Sequence, residues 1–316
     1  MDSELDSWAA PGMDRATLRQ LSRPSNARGL WQLALHAALL CMTGFLVWRS
    51  RGSAWLVPAM LLHGLVLNFV FCALHESVHR TAFASRRLND FVAWISGALL
   101  LLPPGYFRLF HFAHHRFTQD PARDPELAQP APTTLRSYVW RATGLPNWHK
   151  RLTVTLTHAL TGRVGESFVP EAKRRMIVRE AKVLWSCYAA VLVLSLVLRS
   201  ADALIYWVIP VVAGQPFLRL YLLAEHIGCA FNDNMYANTR TTYTNGAVRL
   251  LAWQMPFHAE HHAFPAVPFH ALSRVNALVQ GRIEVSAPGY LALHRELIRR
   301  LRAARAARAI EDPEAR

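Results

Sequence analysis

Three histidine-rich motifs stand out in this sequence: HESVH at residues 75–79, HFAHH at 111–115 and HAEHH at 258–262. On an α-helix, residues at positions i, i+3 and i+4 project from one face. Imidazole is the commonest protein ligand for borderline metals such as iron, zinc, nickel and copper. Eight histidines exceed the coordination positions of one ion, so the motifs predict two metal ions. The predicted ligands are His75, His79, His111, His114, His115, His258, His261 and His262.

One further histidine and four carboxylates complete the predicted site. His226 directly follows the last long apolar segment, which makes it a candidate ninth ligand or a residue that caps the helix end. Carboxylates close to ligand histidines commonly orient the imidazole rings through hydrogen bonds. This role is predicted for Glu76, Asp124, Glu225 and Glu260.

Long apolar segments separate the motifs. Hydrophobic residues make up 52% of the 316 residues, and many occur in blocks about as long as a membrane-spanning helix. Four spans are predicted, at residues 29–48, 53–74, 183–198 and 203–224. Residues 91–104 are apolar but shorter and end in a proline pair, which predicts a re-entrant or interfacial segment. His36 and His63, inside the first two spans, are predicted to pack helices or line a cavity.

The positive charge of the chain predicts its orientation. The formal net charge is +14, because 35 lysines and arginines outnumber 21 acidic residues. Little of this excess lies at 49–52 and 199–202, so the positive-inside rule predicts that both termini and residues 75–182 are cytoplasmic, in a bacterial inner (plasma) membrane. All three motifs then lie on the cytoplasmic side. Nucleic-acid binding is the rival explanation for a basic chain, but the spans account for the charge, and no nucleic-acid partner is predicted.

These patterns divide the chain into a cytoplasmic N-terminal tail (1–28), a membrane domain (29–285) and a basic C-terminal tail (286–316). The N-terminal tail is polar and rich in arginine, unlike a secretory signal. Residues 290–310 place apolar side chains on one face and arginines on the others. This pattern predicts an amphipathic helix, either on an anionic membrane surface or in solvent.

Two other classes of metal protein are alternatives. HESVH also matches the HExxH pattern of zinc metallopeptidases, in which the glutamate is the general base, so an intramembrane zinc protease is one of them. That mechanism needs one zinc ion, two histidines and one further ligand, and it leaves both HxxHH motifs without a role. A metal transporter would instead place its ligands along a pore at the bilayer midplane, whereas these motifs gather at one face.

Three histidine motifs on a chain with four spans resemble the membrane fatty acid desaturase and hydroxylase superfamily, over about residues 50–285. The sequences NTRT at 238–241 and MPFHAEHHAFPAVP at 255–268 are similar to its bacterial desaturase-like branch. The resemblance implies a non-haem di-iron centre held by histidines, with O2 as co-substrate. It implies desaturation of an acyl chain or lipid that enters from the bilayer, with hydroxylation of an alkyl group or a small molecule as the alternative. The implied fold class is all-α integral membrane, with about four transmembrane helices and a cytoplasmic helical cap that carries the histidine-rich di-iron site.

Two features depart from better-known members of the superfamily. In animal acyl-CoA desaturases an asparagine lies one turn before the ligand histidine of the fourth span, where this chain has Leu222. The sequence also lacks a cytochrome b5-like segment with its haem-binding His-Pro-Gly-Gly. Electrons are therefore expected from a separate ferredoxin, rubredoxin or cytochrome b5-type donor with its reductase. Its predicted docking residues are Arg86, Arg87, Arg116 and the arginines at 295–305.

Overall fold

The computed structural model describes residues 13–311, and the parts of the two predicted tails beyond these limits lie outside the described residues. The chain is mostly helical, as predicted. The helices are α1 Arg15–Leu21, α2 Asn26–Arg49, α3 Leu56–Asn68, α4 Val70–His79, α5 Arg86–Leu99, α6 Pro104–Phe117, α7 Leu135–Ala142, α8 Leu145–Thr161, α9 Glu171–Val197, α10 Ile209–Ala213, α11 Gln215–His226, α12 Met235–Asn238, α13 Gly246–Leu251, α14 His258–Ala263, α15 Leu272–Val279 and α16 Tyr290–Glu311. Two short strands, β1 Thr241–Thr242 and β2 Ser286–Ala287, pair in parallel.

Four helical segments in the described part of the chain are long and apolar enough to cross a membrane, in agreement with the predicted number of spans. They are Asn26–Arg49, Leu56–His79, Glu171–Val197 and Leu204–His226. The second span consists of α3 and α4, and the fourth consists of a π-helical turn at Leu204–Val208 followed by α10 and α11. The third span begins twelve residues earlier than predicted, because the basic helix before the apolar segment continues into it without a break.

The four spans differ in how much of their surface the protein covers. Only 22% of the most apolar part of α2 and 17% of that of α9 is buried, against 67% for the second span. Apolar side chains such as Leu192, Val193 and Leu196 are exposed along α9. Apolar surface of this extent requires an apolar environment. We conclude that α2 and α9 have lipid-facing surfaces and that the second span forms the centre of the bundle.

The predicted re-entrant segment is the corner of a bent helix pair. α5 ends at Leu99, α6 begins at Pro104, and the two helices differ in direction by 97°. Pro103 and Pro104 explain the corner, because proline disfavours helical backbone in the residue before it and favours the first turn of a new helix. The bend places α6, with its HFAHH motif, against α4.

The chain between α6 and α9 forms a helical cap together with α16. α8 packs along α9, and α7 packs against α11. In α16, the apolar side chains of Leu297, Ile298 and Leu301 pack in a cluster with Tyr138 and Leu223. The apolar face of the predicted amphipathic tail therefore contacts protein, while the arginines described on its other faces are exposed.

Two histidines inside the first two spans link helices. Nε2 of His36 donates to the carbonyl oxygen of Val66 at 3.0 Å, and its Nδ1 accepts from the indole NH of Trp253 at 3.3 Å. Nε2 of His63 donates to the carbonyl oxygen of Tyr206 at 3.0 Å. Both rings are therefore used in helix packing.

The second and fourth spans cross at two glycines. A Cβ atom added to Gly214 would lie 2.2 Å from the carbonyl carbon of Gly64, and one added to Gly64 would lie 2.0 Å from the carbonyl oxygen of Pro210. These neighbours are backbone atoms, which cannot rotate away. Small residues allow this close approach between membrane helices, and the crossing fixes the fourth span against the second.

We predict that Gly64→Ala lowers the melting temperature of the detergent-solubilised protein by several degrees, because overpacking commonly costs about 1–3 kcal/mol. Gly44→Ala is the matched control on α2, since its Cβ would meet its nearest neighbour, Cε1 of His63, at an ordinary 3.7 Å. Thermal unfolding measured in one detergent compares the two variants. Equal melting temperatures would contradict the close crossing.

Candidate metal centre

Four helices deliver the predicted ligands to one place. α4 carries HESVH, α6 carries HFAHH, α14 carries HAEHH, and α11 ends at His226. The start of α14 is tied to β1, where the backbone NH of Thr242 donates to the carbonyl oxygen of Pro256 at 2.9 Å. The histidine rings are buried in the protein, except that His79 and His226 are half-buried.

The rings form two adjacent groups. In the first group, five ring nitrogens lie within 4.8 Å of one another. Its members are His75, His79, His111, His115 and His261. Nε2 of His111 lies 2.8 Å from Nε2 of His79 and 3.0 Å from Nε2 of His115, which is itself 3.1 Å from Nε2 of His261. The first group therefore joins three helices, α4, α6 and α14.

The second group contains the remaining four histidines. The ring nitrogens of His114, His226 and His262 lie within 4.8 Å of one another. His258 joins them through its Nε2, which is 3.2 Å from Nε2 of His226. The His262 ring stacks on the His115 ring of the first group at 4.1 Å between centroids. The two groups are thus neighbours with separate sets of inward-facing nitrogens.

The spacing of these nitrogens fits metal coordination. Metal–imidazole bonds of about 2.1 Å at right angles hold neighbouring nitrogens about 3 Å apart. Both ring nitrogens of His75 and Nε2 of His262 are buried without a hydrogen-bond partner among the residues that the structure describes. A buried polar atom left unpaired costs about 1–3 kcal/mol. One cation in each group would pair with one ring nitrogen of His75 and with Nε2 of His262, and an all-imidazole donor set suits iron, zinc, nickel or copper.

Hydrogen bonds fix which ring nitrogen of the second group faces inward. Three Nδ1 atoms donate to partners outside the group: His114 to Asp124 at 3.0 Å, His226 to the carbonyl oxygen of Asn238 at 3.2 Å, and His262 to Thr118 at 3.1 Å. The Thr118 hydroxyl itself donates to the carbonyl oxygen of His114 at 2.7 Å, so toward His262 it is the acceptor. Each of the three rings therefore keeps its lone pair on Nε2, which is the arrangement that a metal ligand needs.

Asp124 is the most closely bonded carboxylate of the second group. Its oxygens lie 3.0 and 3.1 Å from Nδ1 of His114, and they accept from the backbone NH groups of Gln119 and Glu126, each at 2.9 Å. Burial disfavours its ionised form, but the hydrogen bonds from His114 and the backbone outweigh burial and hold the pKa of Asp124 below its ordinary value. Asp124 is therefore an anion that orients His114 and offsets the charge of a bound cation.

The three α14 histidines are uncharged at neutral pH. Burial, followed by repulsion from neighbouring imidazoles, holds the pKa of His258, His261 and His262 well below the ordinary value. Neutral imidazole is the form that binds a metal ion. These rings are therefore ready to coordinate without first losing a proton.

Two more carboxylates lie beside the second group. Oε1 of Glu225 is 3.5 Å from Nδ1 of His258, the kind of orienting position predicted from the sequence. Oε2 of Glu126 is 3.9 Å from Nε2 of His114, on the side of that ring that faces the group. The sequence reasoning missed Glu126, although it follows Asp124 by two residues in the same loop. Its nearness to Asp124 was the available signal.

Glu76 and Glu260 have partners that differ from those predicted. Glu76 accepts from the backbone NH of Phe269 at 3.2 Å, and Glu260 accepts from the hydroxyl of Thr241 at 2.6 Å and from the amide of Asn276. Each glutamate lies one position from a ligand histidine, and adjacent residues of a helix point in different directions. Among the described residues neither forms a hydrogen bond to an imidazole, and both hold their helices against the surrounding chain.

The backbone carbonyl of Asn238 and the hydroxyl of Thr118 were also missed. Thr118 follows HFAHH closely enough for its spacing to have suggested a contact with the site. The role of Asn238 belongs to a main-chain oxygen, which no residue type can signal.

An apolar cavity adjoins both groups. A pocket of about 20 Å³ touches ligand histidines from α4, α6 and α14. It shares Phe71, Phe107, Glu126 and Leu222 with a larger cavity of about 160 Å³. Leu222 occupies the position of the asparagine in animal acyl-CoA desaturases, so this chain presents an apolar wall there.

Comparisons with known proteins agree with this geometry. The profile of the fatty acid desaturase family matches residues 53–293, a range that contains all nine clustered histidines. The chain is 25% identical to the dihydrorhizobitoxine desaturase of Bradyrhizobium elkanii over 90% of this chain and 83% of that protein. It is 25% identical to the sphingolipid delta(4)-desaturase of Drosophila melanogaster over 72% of this chain and 67% of that protein. It is 33% identical to the delta(12) fatty acid desaturase of Mortierella alpina over 23% of this chain and 18% of that protein.

We predict that Asp124→Asn weakens metal binding by the second group about 10- to 100-fold, because the orienting partner of His114 loses its charge. Metal content after dialysis against a graded series of chelator concentrations measures the effect. Asp120→Asn is the matched control, since Asp120 lies in the same loop but pairs with Arg123 at the surface. Equal metal retention in the two variants would show that Asp124 does not support the site.

Proposed function

This chain belongs to the fatty acid desaturase family, and we propose that it is an O2-dependent di-iron oxidoreductase that desaturates the acyl chain of a substrate or lipid. The observation that supports this most is a cluster of nine imidazoles beside an apolar cavity. Its two groups offer one ligand set for each of two irons. An aliphatic chain in the cavity would lie between Phe71, Phe107 and Leu222, next to the ligands.

Iron with O2 supplies the oxidising power to break an unactivated aliphatic C–H bond, which redox-silent zinc cannot supply. The protein's own residues hold and orient the ligands and shape the space for the substrate. Asp124 places negative charge behind the ring of His114, and Oε1 of Glu225 lies 3.5 Å from Nδ1 of His258. Phe71, Phe107 and Leu222 form an apolar wall that keeps water away from the reacting carbon atoms.

We also propose that a separate protein donates electrons from the cytoplasmic side. One CH2–CH2 unit, O2, two electrons and two protons give one CH=CH unit and two water molecules, so two electrons come from outside the substrate. The ring of the half-buried His79, in the first group, packs against the ring of Phe112 with 5.2 Å between the ring centroids. Phe112 is 37% exposed. The guanidinium of Arg108 lies 4.1 Å from the same ring, and Arg116 is exposed on the same helix. This positive edge suits an acidic carrier such as a ferredoxin.

Metal and product analysis together test the di-iron proposal. We expect about two irons per chain in the purified protein. His114→Ala and His261→Ala should each lose iron and activity, because each removes a ligand from a different group. Mass spectrometry of extracts from expressing cells should find a product with two hydrogens fewer than its substrate. His149→Ala, at an exposed site on α8, is the control and should keep both iron and activity.

Two results would contradict this proposal. An added oxygen atom in the product, in place of the lost hydrogens, would assign the hydroxylase alternative. One tightly bound zinc ion, with peptide cleavage abolished by Glu76→Gln alone, would assign the zinc protease.

The donor proposal predicts that inverted membrane vesicles, which expose the cytoplasmic face, turn over only when a reduced ferredoxin or cytochrome b5 and its reductase are added. High salt should slow turnover, because the Debye length falls from about 10 Å at 0.1 M to about 3 Å at 1 M. Arg116→Glu should slow it too, whereas Arg199→Glu, between the third and fourth spans, should not. Sustained turnover without any donor, or only with a donor on the opposite face, would refute the proposal.

A further inference from the structure

The cavity beside the metal centre has an unusually basic wall. Besides apolar residues such as Leu101 and Phe110, the cavity of about 160 Å³ is lined by four cationic side chains. They are Arg141, Lys150, Arg151 and Arg219. None of the four forms an ion pair with a carboxylate in the described part of the chain. Glu126 lines the same cavity but acts on Arg141 and Arg219 only at longer range.

Arg219 is the most unusual of these side chains. It lies within the fourth span, where an ionisable residue is expensive and normally has a functional partner. Its Nε is buried and has no hydrogen-bond partner among the described residues. The stem is held by the turn between α7 and α8, because a Cβ on Gly144 would come within 3.3 Å of Cγ of Arg219. Among the described residues no carboxylate lies within ion-pair distance of the guanidinium, and Glu126 and Glu225 act on it only at longer range.

Arg219 also shares a helix face with the metal centre. Arg219, Leu222 and His226 follow one another at i, i+3 and i+7 along α11, and such residues project from one stripe. Seven residues of helix advance about 10 Å. A ligand that spans from Arg219 along the Leu222 surface therefore reaches the second metal group.

Arg151 lies near Arg219 in the same wall. Its Nη1 donates to the carbonyl oxygen of Leu100 at 2.8 Å, and its other NH groups are without a hydrogen-bond acceptor in the part of the chain that the structure describes. Burial, followed by repulsion from Arg219, lowers the pKa of Arg151 to about 9. Two guanidinium groups that repel each other in a partly apolar cavity form a site that an anion would stabilise. A guanidinium pairs with a carboxylate or phosphate through two parallel hydrogen bonds.

The size of the cavity limits the ligand. A cavity of about 150 Å³ in another protein holds one benzene molecule, and the present cavity has a similar volume of about 160 Å³. The enclosed part of a ligand is therefore short.

We propose that the cavity binds a compact substrate with a free anionic group, a carboxylate or a phosphate, whose oxygens pair with Arg151 and Arg219 while its short aliphatic part extends along Leu222 to the metal centre. This inference rests on the proposed function and narrows its substrate class. The enzyme then selects a free acid of limited size over the chains of a membrane phospholipid.

Binding is tested first, without turnover. The probes are octanoate, octyl phosphate, methyl octanoate and vesicles of dioleoylphosphatidylglycerol, added to the detergent-purified protein, and the readout is the shift of its melting temperature with concentration. Octanoate or octyl phosphate should stabilise the protein, and methyl octanoate should not. The acid that stabilises it at lower concentration identifies the anionic group. Equal stabilisation by acid and ester, or stabilisation by the phospholipid alone, would overturn the proposal.

Variants assign the binding to the two arginines. Arg219→Gln and Arg151→Gln should each weaken binding of the acid about tenfold or more, because each removes a charge-assisted hydrogen bond. Arg219→Lys keeps the charge and should recover part of the affinity, which separates binding from a folding defect. Arg136→Gln, at an exposed site on α7, is the matched control. An equal loss in Arg136→Gln, or no loss in either cavity variant, would refute the assignment.

The outcomes also separate this inference from the proposed function. A protein that binds octanoate through Arg219 but contains zinc and oxidises nothing would refute the proposed function alone. A protein that desaturates phospholipid chains or neutral esters, and binds free acids no better than the Arg219→Gln variant does, would refute this inference alone.

Discussion

The inward-facing lone pairs of the clustered imidazoles repel one another unless cations lie between them. A neutral imidazole has one NH to donate, and in the second group three rings use it on partners outside. Burial also disfavours protonation of the α14 rings, as the low pKa of His261 shows. Because His114 and His226 both direct their NH groups outward, no proton of the neutral rings is available to relieve the contact of 3.2 Å between their Nε2 atoms. Metal ions between the rings would remove this repulsion and so stabilise the convergence of α4, α6, α11 and α14.

The two groups would hold their ions differently. The second group has Asp124 behind one ring, Glu225 near another and Glu126 on the inner side. In the first group, Nδ1 of His115 and Nδ1 of His261 have no hydrogen-bond partner among the described residues. Outer hydrogen bonds fix ring orientation and raise the basicity of a ligand. The second group is therefore better suited to stabilise a more positive ion. The ring orientations of the first group depend on helix packing.

Helical periodicity predicted that the three motifs and four apolar segments are helical, but it did not predict that HFAHH and HAEHH each divide their histidines between two groups. It could not predict the tertiary angles that decide which neighbour each side chain meets. Glu76 and Glu260 illustrate this limit, because their nearness to ligands in sequence suggested contacts that their helix faces exclude. The reverse error concerns Asn238, whose contribution comes from a backbone oxygen in a short helix. The corner at Pro103 was visible only as a short apolar segment, since a 97° bend depends on what packs on both sides.

The hydropathy pattern also failed to indicate Arg219, the residue on which the proposed substrate class depends most. Arg219 lies in a segment whose mean hydropathy is high enough for a membrane span. The average over the segment therefore gave no sign of this single charged residue. An arginine in such a helix costs up to about 2.5–3.5 kcal/mol on insertion scales, the value that applies at the helix centre. Among the described residues no ion pair offsets that cost. A charged residue in an apolar span without a structural partner is typical of a functional site. An anion bound between Arg219 and Arg151 would supply the missing stabilisation.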